Sequence, residues 1–135
     1  MAQHPTEHLF VYGTLMKAAG HPMGAHLATH ARYESPATFR GKLYRVAHYP
    51  GVVASDNETD QVHGELYEVL DSTKLFAVLD DYENCSPKHP QPTKYVRIEC
   101  SVSAGAKSFK TWIYLYNRPV DRLERITSGR FLAAE

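Results

Sequence analysis

Tyr95-Val96-Arg97-Ile98-Glu99-Cys100-Ser101-Val102 and Ser108-Phe109-Lys110-Thr111-Trp112-Ile113-Tyr114-Leu115-Tyr116 are joined through the short break Ala104-Gly105-Ala106. The β-branched and aromatic content of both runs is that of strands. Strands with so short a connection pair antiparallel, because a parallel partner needs a crossover of about a dozen residues or more. The hairpin argues for an α+β domain over a doubly wound parallel sheet.

Upstream, the alternation between apolar and polar residues supplies further elements. Val62 to Val69, VHGELYEV, reads as a strand after the solvated run Ser55-Asp56-Asn57-Glu58-Thr59-Asp60. Ala37 to Val46 alternates through Phe39, Leu43, Tyr44 and Val46 before a turn at Tyr49-Pro50-Gly51, and Val52 and Val53 extend a hairpin. Between them and the final hairpin, Asp71-Ser72 offers a helix N-cap. Leu75, Phe76, Val78, Leu79 and Tyr82 follow at helical spacing and define one face. A shorter helix is expected from Met23 to Arg32 after the break Gly20-His21-Pro22. Pro87, Pro90 and Pro92 enforce a loop ahead of Tyr95. The expected total is about five strands and two or three helices.

Composition bounds the class of partner. The 135 residues suffice for one domain with a core, 1–135, with residues 1–7 expected as a flexible tail. Fifteen Lys plus Arg balance fifteen Asp plus Glu, so charge gives no case for nucleic acid or an anionic membrane. A small-molecule ligand is expected. No apolar run reaches signal-peptide or membrane-helix length, which gives a cytoplasmic expectation. The cysteines, Cys85 and Cys100, have no CxxC spacing, and Asp80, Asp81 and Glu83 near Cys85 would raise a thiol pKa and disfavour a nucleophile there. His26 and His30 share one helical face, but they lack the Glu of HExxH and a third placed ligand, so no metal site is assigned.

Two segments carry candidate chemistry. Leu9-Phe10-Val11-Tyr12 reads as a buried strand ended by Gly13. A glycine there is either an ordinary strand-to-loop residue or one that lets a ligand approach the main chain, with the Thr14 and Leu15 amides aimed outward as an anion-binding nest. The second segment is the acidic helix end Asp80-Asp81-Tyr82-Glu83. A carboxylate at a helix C-terminus faces the negative end of the macrodipole, which pushes its pKa upward. Such a group is either a solvated acidic end or a general base.

With Tyr12-Gly13-Thr14-Leu15 at a strand end and Leu79-Asp80-Asp81-Tyr82-Glu83 at a helix end, the chain resembles the gamma-glutamylcyclotransferase-like family, particularly its gamma-glutamylamine cyclotransferase branch. Gly41-Lys42-Leu43-Tyr44, Tyr49-Pro50-Gly51-Val52-Val53, Val62 to Val69, Tyr95-Val96-Arg97 and Ile126 to Phe131 follow the family's order. Two departures stand out. Asn84 follows Glu83 where the family often has glycine, and Gly129-Arg130-Phe131 replaces a common Gly-Asp-Trp. The resemblance implies a small mixed or antiparallel twisted β-barrel flanked by two or three helices, with the Tyr-Gly-Thr-Leu turn at the mouth of a cavity.

It also implies an activity, cyclisation of a γ-glutamyl amide to 5-oxoproline without cofactor or metal, with Glu83 as acid/base. The amides of Gly13, Thr14 and Leu15 would hold the substrate carboxylate or its oxyanion. Tyr12 would form a wall or donate its hydroxyl, and Tyr116 would do the same or serve as a buried structural tyrosine. Arg97 is suited either to a substrate carboxylate or to a salt bridge within the sheet. The leaving group, whether an amino acid, a lysine side chain or another amine, stays open, as does the oligomeric state. A noncatalytic module that binds a small metabolite or peptide on the same fold is the competing reading.

Overall fold

The computed structural model describes residues 7–13, 16, 22–47, 49–83 and 93–131. Its elements are β1 (Glu7–Val11), α1 (Pro22–His30), β2 (Ala31–Arg45), β3 (Pro50–Ala54), β4 (Gln61–Val69), α2 (Ser72–Tyr82), β5 (Tyr95–Ala104), β6 (Lys107–Tyr116) and β7 (Glu124–Arg125). The expected hairpin is antiparallel along its length, from Tyr95 opposite Tyr116 to Ala104 opposite Lys107. Strands run in the order β2-β4-β1-β6-β5, and a bridge between Thr38 and Ser103 returns β5 to β2, closing a five-stranded barrel. Closure leaves no free edge among these five strands. β1 beside β6 is parallel at Leu9 and Trp112, so the barrel is mixed.

Side-chain alternation along β1 divides the core in two. Phe10 and Tyr12 join Phe39, Val62, Leu66, Val102 and Ile113 inside the barrel. Leu9 and Val11 face out and pack under the helices with Leu27 of α1 and Leu75, Phe76 and Leu79 of α2. Among the described residues, no helix is long and apolar enough to cross a membrane.

β2 serves two sheets. Its first ten residues pair with β4 as far as Arg40 opposite Gln61, and from Gly41 onward it pairs with β3 and β7. The change falls where a Cβ on Gly41 would lie 2.7 Å from the Val53 carbonyl oxygen. Buried Asp60 braces the junction, accepting hydrogen bonds from the Ser55 hydroxyl and the Arg125 guanidinium, both at 2.7 Å.

Several boundaries move from the sequence expectation. β2 starts at Ala31 instead of Ala37, and α1 ends at His30, because Ala31 and Arg32 pair with Val69 and Glu68 of β4. Strand pairing here overrides the helical propensity of Arg32. Glu7, expected in a flexible tail, lies in β1 opposite Val69, where its carboxylate accepts the Trp112 indole N–H at 3.0 Å. His8 is also a strand residue, hydrogen-bonded to Glu34 at 3.1 Å. On α2, Val78 and Tyr82 fall outside the buried stripe and are 39% and 37% exposed.

The barrel imposes one backbone approach that no side chain can share. A Cβ on Gly64 would sit 2.2 Å from the Val11 carbonyl oxygen and 2.7 Å from the Phe10 ring. Gly64→Ala is therefore expected to lower unfolding free energy by about 1–3 kcal/mol or more in urea titration. Gly105→Ala, at a φ of +62° with open space around it, should cost only about 1–2 kcal/mol of local strain. Equal stability of Gly64→Ala and the parent would contradict the packing described.

Candidate active site

Glu83 caps the C-terminus of α2, its N–H bonded to the Leu79 carbonyl at 2.8 Å. It lies four residues beyond Leu79 and seven beyond Phe76, so the helix turns it toward the barrel with those buried side chains. Removal from water raises its carboxyl pKa to about 7. The surroundings are aromatic. Burial, then the charges of Tyr95 and Glu83, push the Tyr12 phenol far up. Tyr95 is raised in the same way, by burial first and Glu83 next. These mutual effects bring the ends of β1 and α2 and the start of β5 into one electrostatic neighbourhood.

Both phenols keep their protons and spend them on the main chain. The Tyr12 hydroxyl donates to the Tyr114 carbonyl at 2.5 Å, and the Tyr95 hydroxyl donates to the Pro50 carbonyl at 2.5 Å. Tyr12 and Tyr95 are therefore framework, and Glu83 is the member of the group whose pKa is raised to near neutral. Tyr116, opposite Tyr95 in register, meets its ring edge-on at 5.6 Å. Tyr116 also explains Gly51, where a Cβ would lie 2.8 Å from the Tyr116 Cβ.

Gly13 sits at the same end, with its carbonyl accepting the Met16 N–H at 3.0 Å to close a turn. Its missing Cβ is filled by protein: a side chain there would come within 2.5 Å of the Pro50 ring. The glycine thus lets β1 pass against β3, a packing reason for the residue. Thr14 and Leu15 lie outside the described residues, as do Asn84, Cys85 and the prolines Pro87, Pro90 and Pro92.

Arg97 is committed elsewhere. Its guanidinium forms a bidentate pair with Asp80, Nε to Oδ1 at 2.8 Å and Nη2 to Oδ2 at 3.0 Å. It is sandwiched between Phe76 and Trp112, 4.0 and 4.6 Å from the ring centroids. The Tyr114 hydroxyl donates to the same Asp80 oxygen at 2.7 Å. The structure thus places Arg97 in a cross-element ion pair that fastens α2 to β5 and β6, three residues before Glu83. Sequence reading passed over Asp80, Tyr95 and Tyr114 as functional positions. The available signal was that Glu83 continues the stripe of Phe76 and Leu79, so that Asp80 must flank the contact.

The rings of His26 and His30 meet at 4.8 Å, and among the described residues no three His, Cys, Asp or Glu side chains cluster as metal ligands.

Known proteins are similar to this chain in sequence and in fold. A family model described as Gamma-glutamyl cyclotransferase, AIG2-like matches residues 9–133. The Gamma-glutamylcyclotransferase family protein YtfP of Escherichia coli (strain K12) is 32% identical over 125 residues, which cover 92% of this chain and 95% of that protein. The solution NMR structure of ytfP from Escherichia coli matches with a TM-score of 0.63 at 32% identity, over 93% of this chain and 96% of that one. The Gamma-glutamylaminecyclotransferase of Rattus norvegicus is 28% identical over 138 residues, which cover 84% of this chain and 89% of that protein.

Burial of Glu83 carries a stability signature. The folded carboxyl titrates near 7 against an ordinary 4.5, so the unfolded chain releases its proton first and stability falls between those two pH values. The resulting penalty above pH 7 is on the order of 3 kcal/mol. Glu83→Gln is expected to be more stable than the parent at pH 8, with the difference vanishing near pH 4, in parallel urea titrations. A pH-independent difference would contradict the burial. Arg97→Ala, which leaves Asp80 without its main partner, should destabilise by about 1–3 kcal/mol.

Proposed function

The chain belongs to the gamma-glutamyl cyclotransferase, AIG2-like family, and from that premise we propose that it closes a γ-glutamyl amide to 5-oxoproline, releasing the amine, with Glu83 as general acid/base. The observation that carries this reading is the Glu83 carboxyl, raised to about 7 beside Tyr12 and Tyr95. A buried acid that costs stability and titrates near the working pH is what proton transfer needs.

In the reaction, the Glu83 carboxylate removes a proton from the substrate's α-ammonium. The freed amine attacks its own γ-carbonyl, the C–N bond of the lactam forms, and negative charge collects on the carbonyl oxygen. Protonated Glu83 then returns the proton to the departing nitrogen as the original amide bond breaks. Of the three protons on the α-ammonium, one stays on the lactam nitrogen, one is carried by Glu83 to the departing nitrogen, and the last passes from the ring nitrogen to the released amine, which leaves as its ammonium, so water, metal and cofactor are not consumed. Proton transfer of this kind contributes roughly a hundred to ten thousand-fold in rate. Holding the chain folded for five-membered closure contributes through proximity.

The amides of Gly13, Thr14 and Leu15 are assigned to the substrate carboxylate or the oxyanion, and the rings of Tyr12 and Tyr116 to the walls. The substrate class is γ-glutamyl amines or γ-glutamyl amino acids. The Rattus norvegicus relative is named for γ-glutamylamines, which supports the amine as leaving group.

Purified protein incubated with a panel of γ-glutamyl amines and dipeptides should release 5-oxoproline, detected by mass spectrometry, from at least one member. Glu83→Gln should lower that rate by about a hundredfold or more while circular dichroism is unchanged. Cyclisation at the parent rate in Glu83→Gln would remove Glu83 as the acid/base, and a panel in which no member reacts would replace the reading with that of a binding module. Because Glu83 must start as carboxylate, kcat/KM should rise with pH through about 7.

A further inference from the structure

The segment after β6 has no part in the proton transfer, yet it is stitched closely to the barrel. The Ile126 N–H donates to the Leu43 carbonyl of β2 at 2.7 Å, and the His63 N–H of β4 donates to the Gly129 carbonyl at 2.8 Å. The Arg125 guanidinium meets buried Asp60 at 2.7 Å. Gly129 lets the chain bend between these ties: its N–H donates to the Ile126 carbonyl at 3.0 Å, and its φ is +72°. A Cβ there would lie 1.9 Å from the Gln61 carbonyl oxygen. The Ser128 hydroxyl accepts the Arg130 N–H at 3.2 Å and continues the bend.

These bonds deliver Phe131. Its half-buried ring packs against the cluster inside the barrel that contains Tyr12 and Val52. The Arg45 guanidinium stands over it, 5.5 Å from the ring centroid. The ring also reaches Gly13, where a Cβ would lie 3.9 Å from Phe131 Cδ2 and 2.5 Å from the Pro50 ring. Two rings, one from β3 and one from the C-terminal segment, therefore close on the glycine that ends β1. The Gly13 carbonyl in turn accepts the N–H of buried Met16. Glycine has the weakest intrinsic hold on its own dihedral angles, so the conformation of that turn is set by what packs on it.

We propose that Phe131 is a positioning residue for the reaction: it holds the Gly13 turn, so that the amide there is in place before substrate arrives. The proposal rests on the assignment of the Gly13 amide to the substrate carboxylate or the oxyanion. Donors fixed in advance need no reorganisation as charge develops, and a misplacement of about 1 Å can cost about a hundredfold in rate. Loss of the ring would loosen the turn and leave the Asp80–Arg97 pair, which fastens α2, intact.

Hydrogen exchange in the full 15N-labelled chain reads the turn without substrate. In Phe131→Ala the Met16 N–H should exchange at least about tenfold faster than in the parent, while the Glu83 N–H at the end of α2 keeps its rate. Phe131→Trp should restore slow exchange, because Phe131 and Met16 border a cavity of about 450 Å³ that gives a larger ring space. Phe131→Leu, which keeps apolar volume without a flat ring, replaces Phe131→Ala if the latter does not fold. With a γ-glutamyl amide that the parent cyclises, kcat/KM should fall about tenfold to a hundredfold in Phe131→Ala and return to within about threefold of the parent in Phe131→Trp. Its pH midpoint should stay at about 7 in both. Parent kinetics in folded Phe131→Ala, or equal acceleration of exchange at Met16 and Glu83, would reduce Phe131 to a contributor to global stability and overturn the proposal. A displaced pH midpoint, or Phe131→Trp as slow as Phe131→Ala, overturns it as well. A parent that cyclises no γ-glutamyl amide removes the cyclisation reading alone, and the exchange rate at Met16 still decides whether Phe131 holds the turn.

Discussion

Asp80 is the residue on which the arrangement turns. It accepts three hydrogen bonds, two from Arg97 of β5 and one from Tyr114 of β6. Apolar packing of Leu75, Phe76 and Leu79 would hold α2 on the barrel, but hydrophobic contact is non-directional and tolerates rotation about the helix axis. A planar guanidinium fixed between two rings and gripping a carboxylate in bidentate geometry does not. Three residues later the chain reaches Glu83, whose removal from water is unfavourable. A helix free to roll would return that carboxylate to solvent, so the ion pair at Asp80 opposes the relaxation that Glu83 favours.

The barrel supplies the other half of the constraint. The Glu83 neighbourhood is built at strand termini: Tyr12 directly follows β1, Pro50 begins β3, Tyr95 begins β5 and Tyr116 ends β6. Hydrogen bonds from the two buried phenols to main-chain carbonyls tie these termini to one another. Gly13 and Gly51 are part of the same join, since each lies against a ring from a neighbouring element where a Cβ has no room. Reactive groups at strand and helix ends on a closed scaffold can be held rigidly while their outer side stays open to ligand.

Much of this was legible in the residues. The Tyr95 to Tyr116 hairpin, the Val62 to Val69 strand and the Asp71 cap of α2 are local features, governed by alternation and capping, and the structure reproduces them. What escaped was non-local. Residues 31–36 form strand because β4 pairs with them, although Arg32, Glu34 and Pro36 give little apolar signal. Arg97 left two readings open, because the sequence cannot say that Asp80, on a different element, will face it. Gly13 drew attention as a place for ligand, whereas its local cause is the Pro50 ring, 37 positions away in sequence. Glu83 was legible as a carboxylate at a helix end, where the macrodipole was the expected cause of a raised pKa, whereas the cause in the structure is burial, which depends on strands distant in sequence.

The account rests on one property of one side chain, a Glu83 carboxyl held out of water at the end of the barrel. Following the Glu83 side-chain carboxyl carbon by 13C NMR across the pH range, in the folded chain without ligand, measures that property directly. The account predicts a midpoint of about 7, moving down toward the ordinary value when Arg97→Ala loosens α2. A midpoint near the ordinary 4.5 in the intact chain would mean that Glu83 is solvated, and would contradict it.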